Sequence, residues 1–219
     1  MSHYKFNNGL FSRLTKPAEY KKAKELFKNE KYSISLEKSL KILSETDSLG
    51  HFELKYKTSF LIGNIFRQIN DHKKAIIYYK KALTNFKSDS SFKSEHLSTA
   101  ENSFNINKIL LRIGGQFHIS KEKDSAIKYY KEILASNSFN QQNLTTKASS
   151  YTNLSNIYRE DSIYDLAREY SLEAIKIYKK ANKKVLESAA LGNLASIYLE
   201  QKNYEKAKKI YLEGLDLIK

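Results

Sequence analysis

The stretch from 191 to 214, LGNLASIYLEQKNYEKAKKIYLEG, decides the fold. Its first half has an apolar helical pattern with a small residue, Ala195, followed three positions later by an aromatic residue, Tyr198. A short polar turn comes next, and the second half is another helical pattern that opens on a second small residue, Ala207. The stretch therefore predicts a hairpin of two helices.

The same block occurs five times along the chain, which makes it an internal repeat. In every copy the two small residues are 12 positions apart, and all ten are Ala, Gly or Ser. The pairs are Ala23 with Ser35, Gly63 with Ala75, Gly114 with Ala126, Ser155 with Ala167, and Ala195 with Ala207. Two antiparallel helices approach closely only where neither carries a bulky side chain. Because one hairpin cannot bury its apolar face alone, we expect an all-α stack with a concave and a convex face.

The order of residue types within a copy, as in Gly63…Phe66…Ala75…Tyr79…Ala82, resembles the tetratricopeptide repeat. The resemblance implies a right-handed superhelix of about five helical hairpins. The usual Trp and the closing Pro of the family are absent from this sequence.

The repeats are longer than the usual 34 residues. Starts at Lys16, Tyr56, Asn107, Ala148 and Ser188 give periods of 40, 51, 41 and 40, which predicts a lead-in over 1–15 and a repeat domain over 16–219. The 51-residue step contains a polar insert at 87–96, interpreted as a longer loop or a prolonged helix. Such long repeats resemble those of kinesin light chains, of bacterial peptide-pheromone receptors, and of the sensory input regions of bacterial histidine kinases or transcription regulators.

The charge of the chain favours an acidic partner, but its distribution weakens a nucleic-acid interpretation. Lys and Arg total 38 against 24 Asp and Glu, for a net charge of +14. Only five of the 38 are Arg, the residue that reads bases best. Lys residues follow aromatic ones, as in Tyr78-Tyr79-Lys80-Lys81, which is typical of a solvated helix edge. A basic helical solenoid that binds nucleic acid remains the alternative function.

The residues that carry catalysis or metal binding are few and scattered. There is no Cys, the five His lie at no metal-binding spacing, and the carboxylates alternate with Lys as on a solvated surface. We expect no cofactor, no metal and no enzymatic activity in this chain, and a third hypothesis places an active site elsewhere in a longer protein. No apolar run approaches the ~20 residues of a membrane span. The compartment, cytoplasmic or periplasmic, stays open.

Most of the 16 tyrosines that follow the repeat pattern are predicted to fill core positions. They are Tyr79, Tyr130, Tyr158, Tyr198 and Tyr211.

The resemblance implies that the first helix of each hairpin lines the concave face and contacts a protein or peptide ligand. The polar candidates on these helices are Asn64, Arg67, Arg112, Asn153, Asn156, Arg159 and Asn193. An Asn amide donates to a peptide carbonyl and accepts from a peptide N–H, so a row of Asn suits an extended backbone. The Arg residues favour acidic side chains or a carboxyl terminus. The alternative is that Asn is simply tolerated on an exposed helix.

These observations predict a peptide- or protein-binding domain, the input or scaffolding region of a bacterial signalling protein. Leu217-Ile218-Lys219 falls within the second helix of the fifth repeat, and no polar capping helix follows. We therefore expect either a longer parent protein or self-association through the face of Tyr211, Leu215 and Ile218.

Overall fold

The computed structural model describes residues 16–46, 52–88, 106–136 and 141–219. The predicted lead-in over 1–15 and all but the first two residues of the polar insert lie outside this part of the chain.

The regular structure of the described residues is entirely α-helical, which confirms the predicted fold class. The ten helices are α1 (16–28), α2 (Tyr32–Thr46), α3 (Phe52–Gln68), α4 (His72–Ser88), α5 (Ile106–Ile119), α6 (Lys123–Ala135), α7 (Gln141–Glu160), α8 (Tyr164–Lys180), α9 (Lys184–Glu200) and α10 (Tyr204–Asp216). Odd-numbered helices are the first helices of the hairpins. Several begin before the predicted repeat starts: α3 gains a turn that includes the buried Leu54, and α7 begins seven residues before Ala148.

The paired small residues lie buried where the two helices of each hairpin meet. Two of the pairs are joined by hydrogen bonds that show how close the helices are. The Ser35 hydroxyl donates to the carbonyl oxygen of Ala23 at 2.8 Å, and the Ser155 hydroxyl donates to that of Ala167 at 2.7 Å. The 12-residue spacing therefore marks the helix crossing, as the sequence predicted.

Two fully buried tyrosines each pack against a glycine across the hairpin. A Cβ added to Gly63 would lie 2.6 Å from the ring of Tyr79, and one added to Gly114 would lie 2.7 Å from the ring of Tyr130. Both rings are fully buried because they occupy the space that a side chain would take.

The expectation that Tyr211 is a core residue is wrong. Ala195 stands where Gly63 and Gly114 stand in their repeats, and Tyr211 is 43% exposed. Its hydroxyl lies 2.8 Å from the hydroxyl oxygen of Ser196. Among the described helices α10 packs against α9, and the ring of Tyr211 stays partly at the surface on the side away from that contact. Tyr158 and Tyr198 are partly exposed.

Six turns between helices share one backbone geometry with a residue in the left-handed region. These residues are Glu30, Asn70, Lys121, Ser162, Asn182 and Lys202, with φ from 52° to 63°. At the first turn the N–H of Lys31 donates to the carbonyl of Leu26, and the N–H of Glu30 donates to that of Phe27. This is the Schellman pattern that satisfies the last carbonyls of a helix.

The chain divides into two compact units, one up to Ile109 and one from Leu110 to Lys219, with the division inside α5. In the first unit α3 packs against α2 and α4. In the second, α7 packs against α6, α8 and α9, and α9 packs against α8 and α10. The single repeat domain over 16–219 stays a prediction.

Candidate functional site

The seven candidate residues fall at three positions relative to the small residue of their first helix. Two positions before it stand Arg112, Asn153 and Asn193; one position after it stand Asn64 and Asn156; four positions after it stand Arg67 and Arg159. All seven lie in first helices and are partly exposed.

Asn153 on α7 and Asn193 on α9 are equivalent and have free amide groups. Both are partly exposed, and neither makes a hydrogen bond with another described residue. Their helices are in contact within the second unit. The structure therefore places two unused amides, each a donor and an acceptor, on neighbouring first helices.

Asn64 is already engaged within its own hairpin. The hydroxyl of Tyr79 donates to Asn64 Oδ1 at 2.8 Å. Ser196 occupies the equivalent position in the fifth repeat and contacts Tyr211 in the same way. The residue after the small residue thus holds a tyrosine hydroxyl, which uses part of the hydrogen-bonding capacity of Asn64.

The third repeat has the tyrosine of this pair without the polar residue, and the fourth has the polar residue without the tyrosine. Gly115 stands where the acceptor would be, and the buried hydroxyl of Tyr130 has no partner in the described structure. Burial without a partner raises the pKa of Tyr130 well above its usual range. In the fourth repeat Ser171 replaces the tyrosine, and the buried Oδ1 of Asn156 lacks a partner among the described residues.

Polar contacts and ion pairs join the ends of neighbouring helices in the second unit. Arg159 at the end of α7 pairs with Glu200 at the end of α9. Glu160 contacts His118 Nε2 at 3.0 Å and Lys123 Nζ at 3.3 Å. Burial alone would raise the pKa of the Glu160 carboxyl, but hydrogen bonds from Lys123 and His118 outweigh it and hold that pKa below its usual value.

The three candidate arginines do not form one row. Arg67 and Arg159 share a position with His118, whereas Arg112 shares the position of Asn153. The Nε atoms of Arg67 and Arg159 are buried and make no hydrogen bond in the described part of the chain.

The sequence analysis did not identify the residues of this chain that already bind the candidate side chains. Glu200 neutralises Arg159, and Tyr79 takes the oxygen of Asn64. A signal was present, because Asn64 and Tyr79 have the same 15-residue spacing as Ser196 and Tyr211.

Among the described residues, no group of three or more His, Cys, Asp or Glu side chains is arranged to hold a metal ion. In the same residues, every helix is too short or too polar to cross a membrane.

Two stretches of the sequence match profiles described as tetratricopeptide repeat. One match covers residues 146–219, and the other covers 56–88. No curated protein sequence matches the chain.

Solved structures of helical-repeat proteins share the fold at low sequence identity. The apo form of the quorum sensor NprR from B. thuringiensis has a TM-score of 0.72 at 18% identity, over 91% of this chain and 52% of its own. The apo form of RapI has a TM-score of 0.75 at 16% identity, over 94% of this chain and 54% of its own.

A third similar structure, a Podosopora anserina putative kinesin light chain with nearly identical TPR-like repeats, has a TM-score of 0.70 at 12% identity, over 94% of both chains. This chain spans about half the length of NprR and RapI. The matched profiles and the shared fold agree with the repeat pattern of the sequence. The two matched stretches are of the tetratricopeptide-repeat type, the described chain shares a helical-repeat fold with these structures, and such repeats support a role in protein binding.

Proposed function

We propose that this chain binds a peptide, or an extended segment of a partner protein, on the first-helix face of α7 and α9. The observation that carries the proposal is the pair of free, partly exposed amides of Asn153 and Asn193 on two helices in contact. Asn is a good ligand for a peptide backbone because one side chain both donates and accepts. Recognition through the backbone leaves the ligand's side chains free to vary.

The spacing of the two helices suits an extended chain. Packed helices have axes about 8–10 Å apart, and an extended chain rises about 3.3 Å per residue. Asn153 and Asn193 would therefore contact peptide groups about two to three residues apart along the ligand.

Arg159 supports a preference for ligands that carry a hydrogen-bond acceptor near the end of α7. One terminal nitrogen of its guanidinium is paired with Glu200 and its Nε is buried, so the second terminal nitrogen is the group left for a ligand. Because Glu200 shares the charge, we expect a modest preference for acidic groups in the ligand, smaller than an unpaired Arg gives. The Oδ1 of Asn156 is buried, so Asn156 also stays a secondary candidate. Arg112, Asn64 and Arg67 stay secondary candidates.

We also propose that the binding face serves as an input or scaffolding region in a bacterial signalling protein, with no catalytic step of its own. The fold shared with the quorum sensor NprR supports this role. Tetratricopeptide repeats typically act as scaffolds, and a connection to a histidine kinase or a transcription regulator belongs to the same proposal.

A displayed library of random peptides, selected on the full chain, provides the probe. We expect Asn153→Ala and Asn193→Ala each to weaken binding of a selected peptide by about 1–3 kcal/mol, because each truncation leaves peptide groups unpaired in a partly dry site. Asn29→Ala, in the exposed turn after α1, is the matched control and should bind as the wild type does. Full-affinity binding after loss of both amides would contradict the proposal.

The alternative, binding of nucleic acid, has the net charge of +14 in its favour. Exposed lysines such as Lys81, Lys131 and Lys179 lie on second helices. A salt titration distinguishes the two functions. Phosphate binding weakens steeply with added salt, whereas backbone recognition on the α7 and α9 face should change little.

A further inference from the structure

The second helix of the fifth hairpin carries an exposed apolar face whose counterpart in the fourth hairpin is covered. We name this face, formed by Tyr204, Tyr211, Leu215 and Ile218, the α10 face. Its residues are 60%, 43%, 48% and 53% exposed. At helical spacing they fall on one side of α10 and its last turn.

The equivalent residues in the fourth hairpin lie 40 positions earlier, and they pack against α9. They are Tyr164, Ser171, Ile175 and Tyr178. The Ser171 hydroxyl donates to the carbonyl of Ala190 on α9 at 3.3 Å, and Tyr178 is only 3% exposed in a cluster with Ala190. The α10 face thus continues the packing surface that joins α8 to α9, and it is built to receive another helix.

Charges at the rim of the α10 face indicate which helix fits. Lys208 and Asp216 stand at equal distances on either side of Leu212, and so do Glu205 and Lys219. In an antiparallel pair of α10 helices centred near Leu212, each of these charges meets its opposite on the partner. In a parallel two-fold pair these flanks lie on opposite sides of the interface, so the four charges do not pair.

The charged side chains at the rim are also available for contacts with a partner. Lys208 and Glu205 are exposed, and neither forms an ion pair with another described residue. Asp216 and Lys219 contact each other at 2.8 Å on the surface, an arrangement that is easily exchanged for contacts with a partner.

We propose that two copies of this chain associate through their α10 faces as an antiparallel, two-fold symmetric pair. The apolar side chains supply the buried area, and the paired rim charges set the direction of the helices. This inference is independent of the peptide-binding proposal, because the α10 face contains none of the candidate ligand residues.

Sedimentation velocity on the full chain over a wide concentration range tests the association. We expect a concentration-dependent dimer that Leu215→Glu and Ile218→Glu abolish. Leu172→Glu is the matched control, because Leu172 is 50% exposed on α8 and lies outside the equivalent packing surface. Circular dichroism checks that each variant is folded. A monomer at every concentration, or equal loss of dimer with the control variant, would overturn the proposal.

A charge exchange tests the direction of the helices. Lys208→Glu and Asp216→Lys should each raise the dimer dissociation constant by about tenfold, since two pairs per dimer become repulsive. The double variant should return to near wild-type affinity, because every pair is restored with its signs reversed. A double variant as weak as the two single variants combined would contradict the antiparallel arrangement.

Discussion

At the scale of single residues, the hairpins are built on complementary pairs that lie 16 positions apart. Gly63 and Gly114 face the fully buried Tyr79 and Tyr130, and the equivalent residues of the fourth repeat are Ser155 and Ser171. At this position the two fully buried rings are those that face a glycine. In the fifth repeat the equivalent residues are Ala195 and Tyr211, and the 43% exposed ring of Tyr211 contributes to the α10 face.

Gly63→Ala should destabilise the protein, because its Cβ would lie 2.6 Å from the Tyr79 ring. We expect a loss of about 1–3 kcal/mol, the usual effect of overpacking. Chemical denaturation measures it.

Gly192→Ala is the matched control, since its Cβ would lie 3.9 Å from the nearest side-chain atom, in ordinary contact. That change should stabilise the helix by up to about 1 kcal/mol. Equal losses for the two variants would show that the close contact at Gly63 has no energetic effect.

At the scale of elements, the turns combine a left-handed backbone with residues other than glycine. Lys121, with φ of 63°, connects α5 to α6 and is exposed. A residue with a Cβ pays about 1 kcal/mol in this conformation relative to glycine.

Lys121→Gly should therefore stabilise the protein by up to about 1 kcal/mol. Lys128→Gly, at an exposed position in the middle of α6, should cost about 1 kcal/mol, because glycine is unfavourable inside a helix. Thermal unfolding measures both. If the two substitutions shift the midpoint in the same direction, the geometry of the turn is not the cause.

The contact of α7 with His118 and Lys123 should make stability depend on acid pH through Glu160. The folded-state pKa of Glu160 lies below its ordinary value of 4.5. Its contribution to stability is present above the unfolded-state pKa and is lost as the pH falls through the lower folded-state pKa.

Glu160→Gln should flatten this acid-side fall in the unfolding midpoint. The control is Glu213→Gln, an exposed carboxylate on α10 that forms no ion pair with another described residue. A wild-type pH profile in the Glu160→Gln variant would exclude the proposed linkage.

At the scale of the whole molecule, the repeat and its helices could be predicted from the sequence. The small residues at a 12-residue spacing identify the crossing of each hairpin, and the structure buries every one of them. Apolar periodicity and close approach follow from local spacing, so they are readable without coordinates.

The intramolecular contacts of the candidate ligand residues could not be predicted from the sequence in the same way. Arg159 and Glu200 are 41 positions apart, and their contact depends on how α7 and α9 align. Tyr79 reaches Asn64 because Gly63 admits its ring. Such contacts follow from packing between helices, and the pattern within one helix does not specify them.

The central claim is that a peptide backbone binds to the amides of Asn153 and Asn193. The direct measurement is a nuclear magnetic resonance titration of the full chain with a selected peptide, following the side-chain NH₂ signals of both residues. We predict that these two signals and the backbone signals of α7 and α9 shift together and saturate at one affinity. Shifts confined to the second helices and their lysines, with both Asn signals unchanged, would contradict the account.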